Sequence, residues 1–388
     1  METLFDTIER SSEESAGYTE GHFTYLNRIA RVEYIHARKV LDEWYLEYFE
    51  LHPVAAQELR GRFRLPDDDH HYAALTELYI HHLLIKNGYS TIPHPHLKDS
   101  SARPDFLAVK DADSAFYIEV MVLYGGPDAR RRERFEAQIK DAIDEIRCPD
   151  FFISLNLLSV DQNTQPPIGK IRRDAEKRIA LLDYDAVCRD IEVNNKYPEW
   201  RWQSSGWEIE FRISPVSERG RRVRSEDSRV LGTTMTPVRW IALDSEIKRG
   251  VSGKWRKYGK PKLPFVMAVN IVGDSIFCDN NTIMSAIFGP ETTKVGTGLD
   301  GKHIIQHGRT MDGVFIHPKD GWRSRGLSAL LVLKGLTGPI FHAVEPVLWH
   351  HPKALNPVAI NLFNVVHKVF NKVTGRMEDV RGGEAKNS

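Results

Sequence analysis

Glu119 interrupts the apolar run AFYIEVMVL, residues 115–123, and this one carboxylate constrains the chain more than any other feature. Nine residues so rich in β-branched and aromatic side chains read as a strand. Such a run lies next to a hydrophobic sheet, and a carboxylate buried there without a partner is costly. Fourteen positions earlier, RPDFLAV (103–109) reads as a second strand, with Asp105 near its start. The polar segment KDADS (110–114) turns one strand into the other, so the two read as a hairpin. Side chains alternate across a strand. That parity lets Asp105 and Glu119 face the same side near the open end of the hairpin. Two carboxylates on one face repel unless a cation lies between them.

The flanking segments supply helices. Asp67, Asp68 and Asp69 offer N-caps for a helix over about 71–87, with Leu75, Leu78, His82 and Ile85 at helical spacing and Gly88 placed to end it. Glu77 lies on this helix. Tyr89 to His96 is a short extended piece whose prolines mark an edge position. After the hairpin, Phe135, Ile139, Ala142, Ile143 and Ile146 make one stripe of a helix over about 129–147, and FFISLNLLSV (151–160) reads as a buried strand. Further strands are expected at 207–213, 264–272, 312–316 and 328–335, with a helix over about 244–258.

The set Glu77, Pro104-Asp105 and Glu119, in this order of elements, resembles the PD-(D/E)XK, or restriction-endonuclease-like, nuclease superfamily. The resemblance covers about 90 residues. It implies Mg²⁺ or Mn²⁺ between Glu77, Asp105 and Glu119, which orients and activates a water for attack on a phosphodiester. The family's Glu-x-Lys pattern is broken here, because Met121 stands where the lysine belongs. Gln138, on the following helix, is the first choice to replace it as a catalytic residue. Lys140, further round that helix, is a poorer candidate; Arg103 has the strand parity of Asp105, and His94 and His96 share a face of the edge strand and could act as base or metal ligand. A structural alternative pairs Glu119 with Arg103 and leaves Glu77 on the helix surface.

The fold expected is therefore α/β: a restriction-endonuclease-like core with a mixed sheet flanked by helices, plus an α/β C-terminal extension. The chain divides into an N-terminal helical region (1–69), the nuclease-like core (70–160), a C-terminal α/β region (161–375) and a flexible tail (376–388). Residues 1–20 are also expected to be loose.

Charge points to partners. The net charge is zero, yet residues 1–69 hold 15 acids against 8 bases, and residues 219–262 hold 13 bases against 4 acids. Phosphate binding needs only local positive charge. Arg221, Arg222, Arg224, Lys254, Arg256 and Lys257 are the expected contacts to DNA or RNA. A solvated surface explains the same run equally well. HPKDGWRSRG (317–326) sets Trp322 among basic residues and could stack on a base, although a plain surface loop fits it better. GTGLDG (296–301) follows no clear strand and reads as a loop. Cys148, Cys188 and Cys278 are too scattered for a disulfide framework or a zinc cluster. With no apolar run of membrane length and no signal-peptide pattern, the expectation is a soluble cytoplasmic protein, with no membrane partner and room for a homo-oligomer. The leading function is a metal-dependent nuclease; the alternative is an inactive nuclease-like protein that binds nucleic acid or a partner.

Overall fold

The computed structural model describes residues 2–98, 100–111, 114–125, 127–224, 228–232, 242–273, 275–297 and 303–381. Four helices open the chain: α1 (His22–Arg28), α2 (Val32–Leu51), α3 (Pro53–Phe63) and α4 (Asp68–Lys86). Strands β1 (Ser90–Pro93), β2 (Phe106–Val109) and β3 (Ala115–Leu123) follow. Next come α5 (Pro127–Asp144), β4 (Phe151–Ser159), α6 (Ile168–Ile179), α7 (Tyr184–Asn194), β5 (Glu199–Ser204), β6 (Trp207–Pro215) and α8 (Glu218–Val223). The chain continues through α9 (Leu243–Trp255), β7 (Phe265–Ile271), α10 (Asn280–Phe288), β8 (Glu291–Thr297), β9 (His303–Arg309), β10 (Ile316–His317), β11 (Gly321–Trp322) and β12 (Ala329–Lys334). It closes with β13 (Val347–His350), β14 (Val366–Asn371) and β15 (Arg376–Arg381).

These elements form two compact units. The first comprises Met1–Glu14, Gly21–Gly125 and Ile241–Ser388; the second comprises Ser15–Glu20 and Gly126–Trp240. The first unit is built on an eight-stranded mixed sheet in the order β1-β2-β3-β7-β12-β13-β14-β15. β1, β2 and β3 are antiparallel neighbours, while β3, β7 and β12 run parallel. Ile118 and Val120 of β3 pack with α2, α3 and α4 on one face. Met121, with Met267 and Val269 of β7, packs with α9 and α10 on the other. Side-chain alternation thus separates two apolar layers, and β3 and β7 are covered on both faces, as their continuous apolar sequences require.

Helix α4 begins as its aspartates predict: the Asp67 side chain accepts from the Asp69 and His70 amides, and Asp68 and Asp69 occupy the first turn. Its buried stripe is turned from the expected one. His81 is fully buried, whereas His82 is partly exposed and bonded to Glu47 at 3.1 Å.

The second unit is a three-stranded antiparallel sheet, β4-β6-β5, whose core joins Phe135, Ile139 and Ile143 of α5 to Leu155, Trp207 and Phe211. Here the structure departs from the sequence reading. Helix α5 and strand β4 were expected to complete the sheet of Asp105 and Glu119; β4 pairs instead with β6, and the parallel neighbour of β3 is β7. An apolar stripe shows that a helix packs on something, not on what. The region 161–375 is likewise divided, its first part in the second unit and its last part extending the first sheet.

Smaller corrections concern the ends. Leu4 and Phe5 are buried in the core of the first unit, so residues 1–20 are not uniformly loose. Arg376–Arg381 is not tail but β15, paired with β14; residues 382–388 lie outside the described residues. So do Ala112 and Asp113 of the hairpin turn and residues 298–301 of GTGLDG. Of the strand expected at 312–316, only Ile316 enters a ladder, the short pairing of β10 with β11. No helix among the described residues is long and apolar enough to cross a membrane.

Candidate active site

Asp105 stands one residue before β2. The register pairs Phe106 with Ile118, which sets Asp105 opposite Glu119. Directly opposed residues point to the same face of a sheet. The local bonds follow from that placement. The Asp105 amide donates to Glu119 Oε2 at 3.2 Å, and the Val120 amide donates to Asp105 Oδ2 at 2.6 Å. The Asp105 carbonyl accepts from the His94 amide at 2.9 Å. Pro104 before it has no amide to place. Asp105 is thereby clipped to the strand end by backbone and side chain together.

Glu119 is buried, and the partner its burial demands is Lys254 of α9. Lys254 Nζ lies 2.6 Å from Glu119 Oε1 and also donates to the Val120 carbonyl. Tyr258, just past the end of α9, lies within reach of the charge of the same carboxylate. Glycine explains why a helix lysine reaches a central strand. A Cβ on Gly250 would come within 2.9 Å of Leu123 Cδ2 and 3.4 Å of Met121 Cε. Without that Cβ, α9 lies close over β3. Four helical residues rise about 6 Å and two strand residues about 6.7 Å. Gly250 over Met121 therefore brings Lys254 over Glu119. Met121 is apolar because it packs beneath the helix that delivers the lysine.

Glu77 has a different arrangement. It stands on α4, the helix against the other face of the sheet, and both its oxygens are taken by Arg62 of α3, at 2.6 and 2.7 Å. This fork binds a carboxylate in two parallel charge-assisted bonds. Glu77 acts on Asp105 through its charge. Burial, then the charges of Glu77 and Glu119, hold the Asp105 carboxyl well above the usual carboxylate range; Lys254 and the Val120 amide only partly offset them. The phenols respond alike: burial and Glu119 push Tyr258 up, and burial and Glu77 push Tyr48 up. Three carboxylates face two side-chain cations, and Asp105 bears the imbalance.

The other expected residues are distributed as follows. Gln138 lies on α5 of the second unit, and Lys140 is paired there with Glu136 at 2.8 Å. Arg103 is exposed, and the partner proposed for it, Glu119, is engaged by Lys254. His94 does not share a strand face with His96, because β1 ends at Pro93 and His94 turns off with φ +48°. The basic run divides between the units. In the second, Arg221 bonds Asp150 at 2.6 Å and covers the Tyr184 ring, Arg224 donates to the Phe151 carbonyl, and Arg222 is exposed. In the first, Arg256 and Lys257 are exposed beside Lys254. Sequence reasoning placed Lys254 among the phosphate contacts and missed its bond to Glu119; it passed over Arg62 and Tyr258 altogether. The spacing Gly250–Lys254 was the available signal.

Among the described residues, no three His, Cys, Asp or Glu side chains converge to hold a metal ion by themselves. Comparison with family models, with curated proteins and with solved structures returns no significant match.

Proposed function

We propose that the first unit is a restriction-endonuclease-like core that hydrolyses phosphodiesters of DNA or RNA with a divalent metal, using Asp105 and Glu119 as its acids and Lys254 as its lysine. The observation that carries this reading is Lys254 Nζ at 2.6 Å from Glu119, beside Asp105. It supplies from α9 the positive charge whose usual place Met121 occupies.

The donor set suits Mg²⁺ or Mn²⁺. Glu119 and the Val120 carbonyl already hold one cation, the Lys254 ammonium, and raised Asp105 marks a local shortage of positive charge. Hard oxygen donors of this kind are what these ions prefer. Asp105, Glu119 and the Val120 carbonyl would hold the ion; Glu77, saturated by Arg62, contributes charge. A bound ion would activate water and offset charge on the phosphate. The chain's own part is positioning. The backbone clips on Asp105 fix one acid, the Asp105 amide holds an oxygen of the other, and Lys254, whose side chain is 30% exposed, can turn its ammonium to a phosphate oxygen. Arg256 and Lys257 are exposed cations of the same unit, available to the backbone of the substrate.

The test is cleavage of labelled single- and double-stranded DNA and RNA with Mg²⁺, Mn²⁺ or EDTA. Activity should need the metal and vanish in Asp105→Asn, Glu119→Gln and Lys254→Ala. No cleavage with either ion overturns the enzyme reading. One arrangement favours the second reading, an inactive protein that binds nucleic acid or a partner: Glu77 and Glu119 are each already matched by a side-chain cation. That reading expects nucleic-acid binding without saturable Mn²⁺ binding.

A further inference from the structure

The motif around Trp322 takes no part in the acidic site, and the structure gives it two surroundings at once. Trp322 belongs to the wall of a cavity of about 880 Å³ between α10, the β8–β9 hairpin and the β13–β15 end of the sheet. Its neighbour Arg323 lines a separate groove along the outer side of α9. Adjacent residues of one short segment thus serve two depressions of the first unit.

The cavity is aromatic. Trp322 meets Phe288 edge-on at 6.3 Å and Phe370 at 6.2 Å, and Met284 and Met377 complete the apolar wall. Its polar side offers side chains that read a ring's edge: Asn280, and the Thr293–His307 pair bonded at 3.1 Å. The volume suits a planar ring with its sugar, in the range of small-ligand sites.

The groove is cationic. Lys248, Arg249, Arg256 and Arg323 line it together with Ser245 and Ser252. Asp312 engages Lys248 at 2.7 Å, and Arg323 donates from Nε and Nη2 to the Gly313 carbonyl, while Arg249 and Arg256 are exposed. Seryl hydroxyls and guanidinium groups without bulky apolar neighbours are a surface for phosphate oxygens.

We propose that these two depressions form one binding site for an unstacked nucleotide of a single strand, its base against Trp322 in the cavity and its phosphates on Arg249 and Arg256. Aromatic platforms beside cationic grooves bind single strands in this way, because every base has a face to stack and every linkage a charge. The proposal rests on the nucleic-acid reading above, but not on catalysis.

The experiment measures anisotropy of a short labelled single strand and of the same strand with abasic residues, in EDTA so that cleavage plays no part. Wild type should prefer the intact strand by about 5- to 150-fold, the range of base–aromatic stacking. Trp322→Ala should bind both strands alike, with an unchanged salt dependence. Trp322→Phe, which keeps a ring against Phe288 and Phe370, should retain much of the preference and shows that a loss in the alanine variant is not misfolding. Arg249→Gln and Arg256→Gln should each lower the slope of log affinity against log salt by about 0.7. Equal binding of both strands by wild type, no binding of either, or an intact preference in Trp322→Ala overturns the proposal. A base preference in a protein that cuts nothing supports it while the nuclease reading falls; cleavage without base preference separates the two the other way.

Discussion

Asp105→Asn should make the protein more stable at neutral pH. Asp105 is opposed in register to Glu119, and the charge of Glu77 also reaches it. Opposed side chains start from Cβ atoms about 5 Å apart. Two charges about 6 Å apart at an effective dielectric of about 20 repel by about 3 kcal/mol. Lys254 returns part of that, leaving a gain of about 1–2 kcal/mol when the charge is removed. The amide oxygen of asparagine can still accept from the Val120 amide, so the strand-end clip survives. A unit of this size shifts its Tm by about 2–4 °C per kcal/mol. The pH dependence has a definite sign. Because the folded carboxyl is raised, its penalty is absent below the ordinary aspartate value, grows as pH climbs towards the raised value, and is constant above it. The gain of Asp105→Asn over wild type should follow that course in urea melts from pH 4 to pH 8, in EDTA. Saturating Mn²⁺ should raise the wild-type midpoint more than the variant's. If Asp105→Asn is less stable than wild type at pH 8, Asp105 is a structural residue and the imbalance of charge described above does not exist.

Lys254→Met removes the cation from a buried carboxylate and should cost about 3 kcal/mol in a urea melt, whereas Arg256→Gln and Lys257→Gln should each change stability by less than about 0.5 kcal/mol. Gly250→Val places atoms where Leu123 and Met121 already lie, so it should lift α9 from β3, lower stability by about 1–3 kcal/mol and abolish any cleavage; Met121→Lys should destabilise similarly and enhance nothing, since Lys254 already serves Glu119. His350 Nε2 and His367 Nδ1 meet at 2.8 Å in the core, with His367 Nε2 at 3.2 Å from the Phe363 carbonyl. Burial holds His350 down to about 4 and His367 below its usual value, so their contribution is complete above about pH 6.5 and is lost as pH falls towards 4. His350→Leu should therefore lose less stability than wild type between pH 7 and pH 5, by about 2 kcal/mol; parallel pH profiles would refute this.

What the sequence made legible was local. The strand at 115–123, the hairpin with Asp105, the capped α4 and the helix near 244–258 follow from alternation, turn chemistry and N-caps. Pairing between distant segments was not legible. Nothing in YIEVMVL distinguishes β4 from β7 as the next strand, because both candidates are apolar runs of similar length. A continuous apolar pattern records burial and carries no address. The same limit hid Lys254. In the sequence it is one lysine in a basic run that reads as surface, and the run in fact divides between two units.

The acidic site nevertheless obeys a constraint that the sequence states openly. A glutamate in the middle of a covered strand must have a cation, and the chain had to provide it from somewhere. The hairpin cannot, because its inward position two residues on is Met121, and Met121 must be apolar for α9 to lie against it. Helix α9 then supplies the charge from the far side of that contact, one turn beyond the glycine that permits the approach. The apolar residue at 121 and the close helix are thus one feature: a lysine at 121 would hold α9 away, and without α9 so close Glu119 would have no partner. Asp105 shares the same enclosure, and burial with the charges of Glu77 and Glu119 raises its carboxyl, which Lys254 only partly offsets.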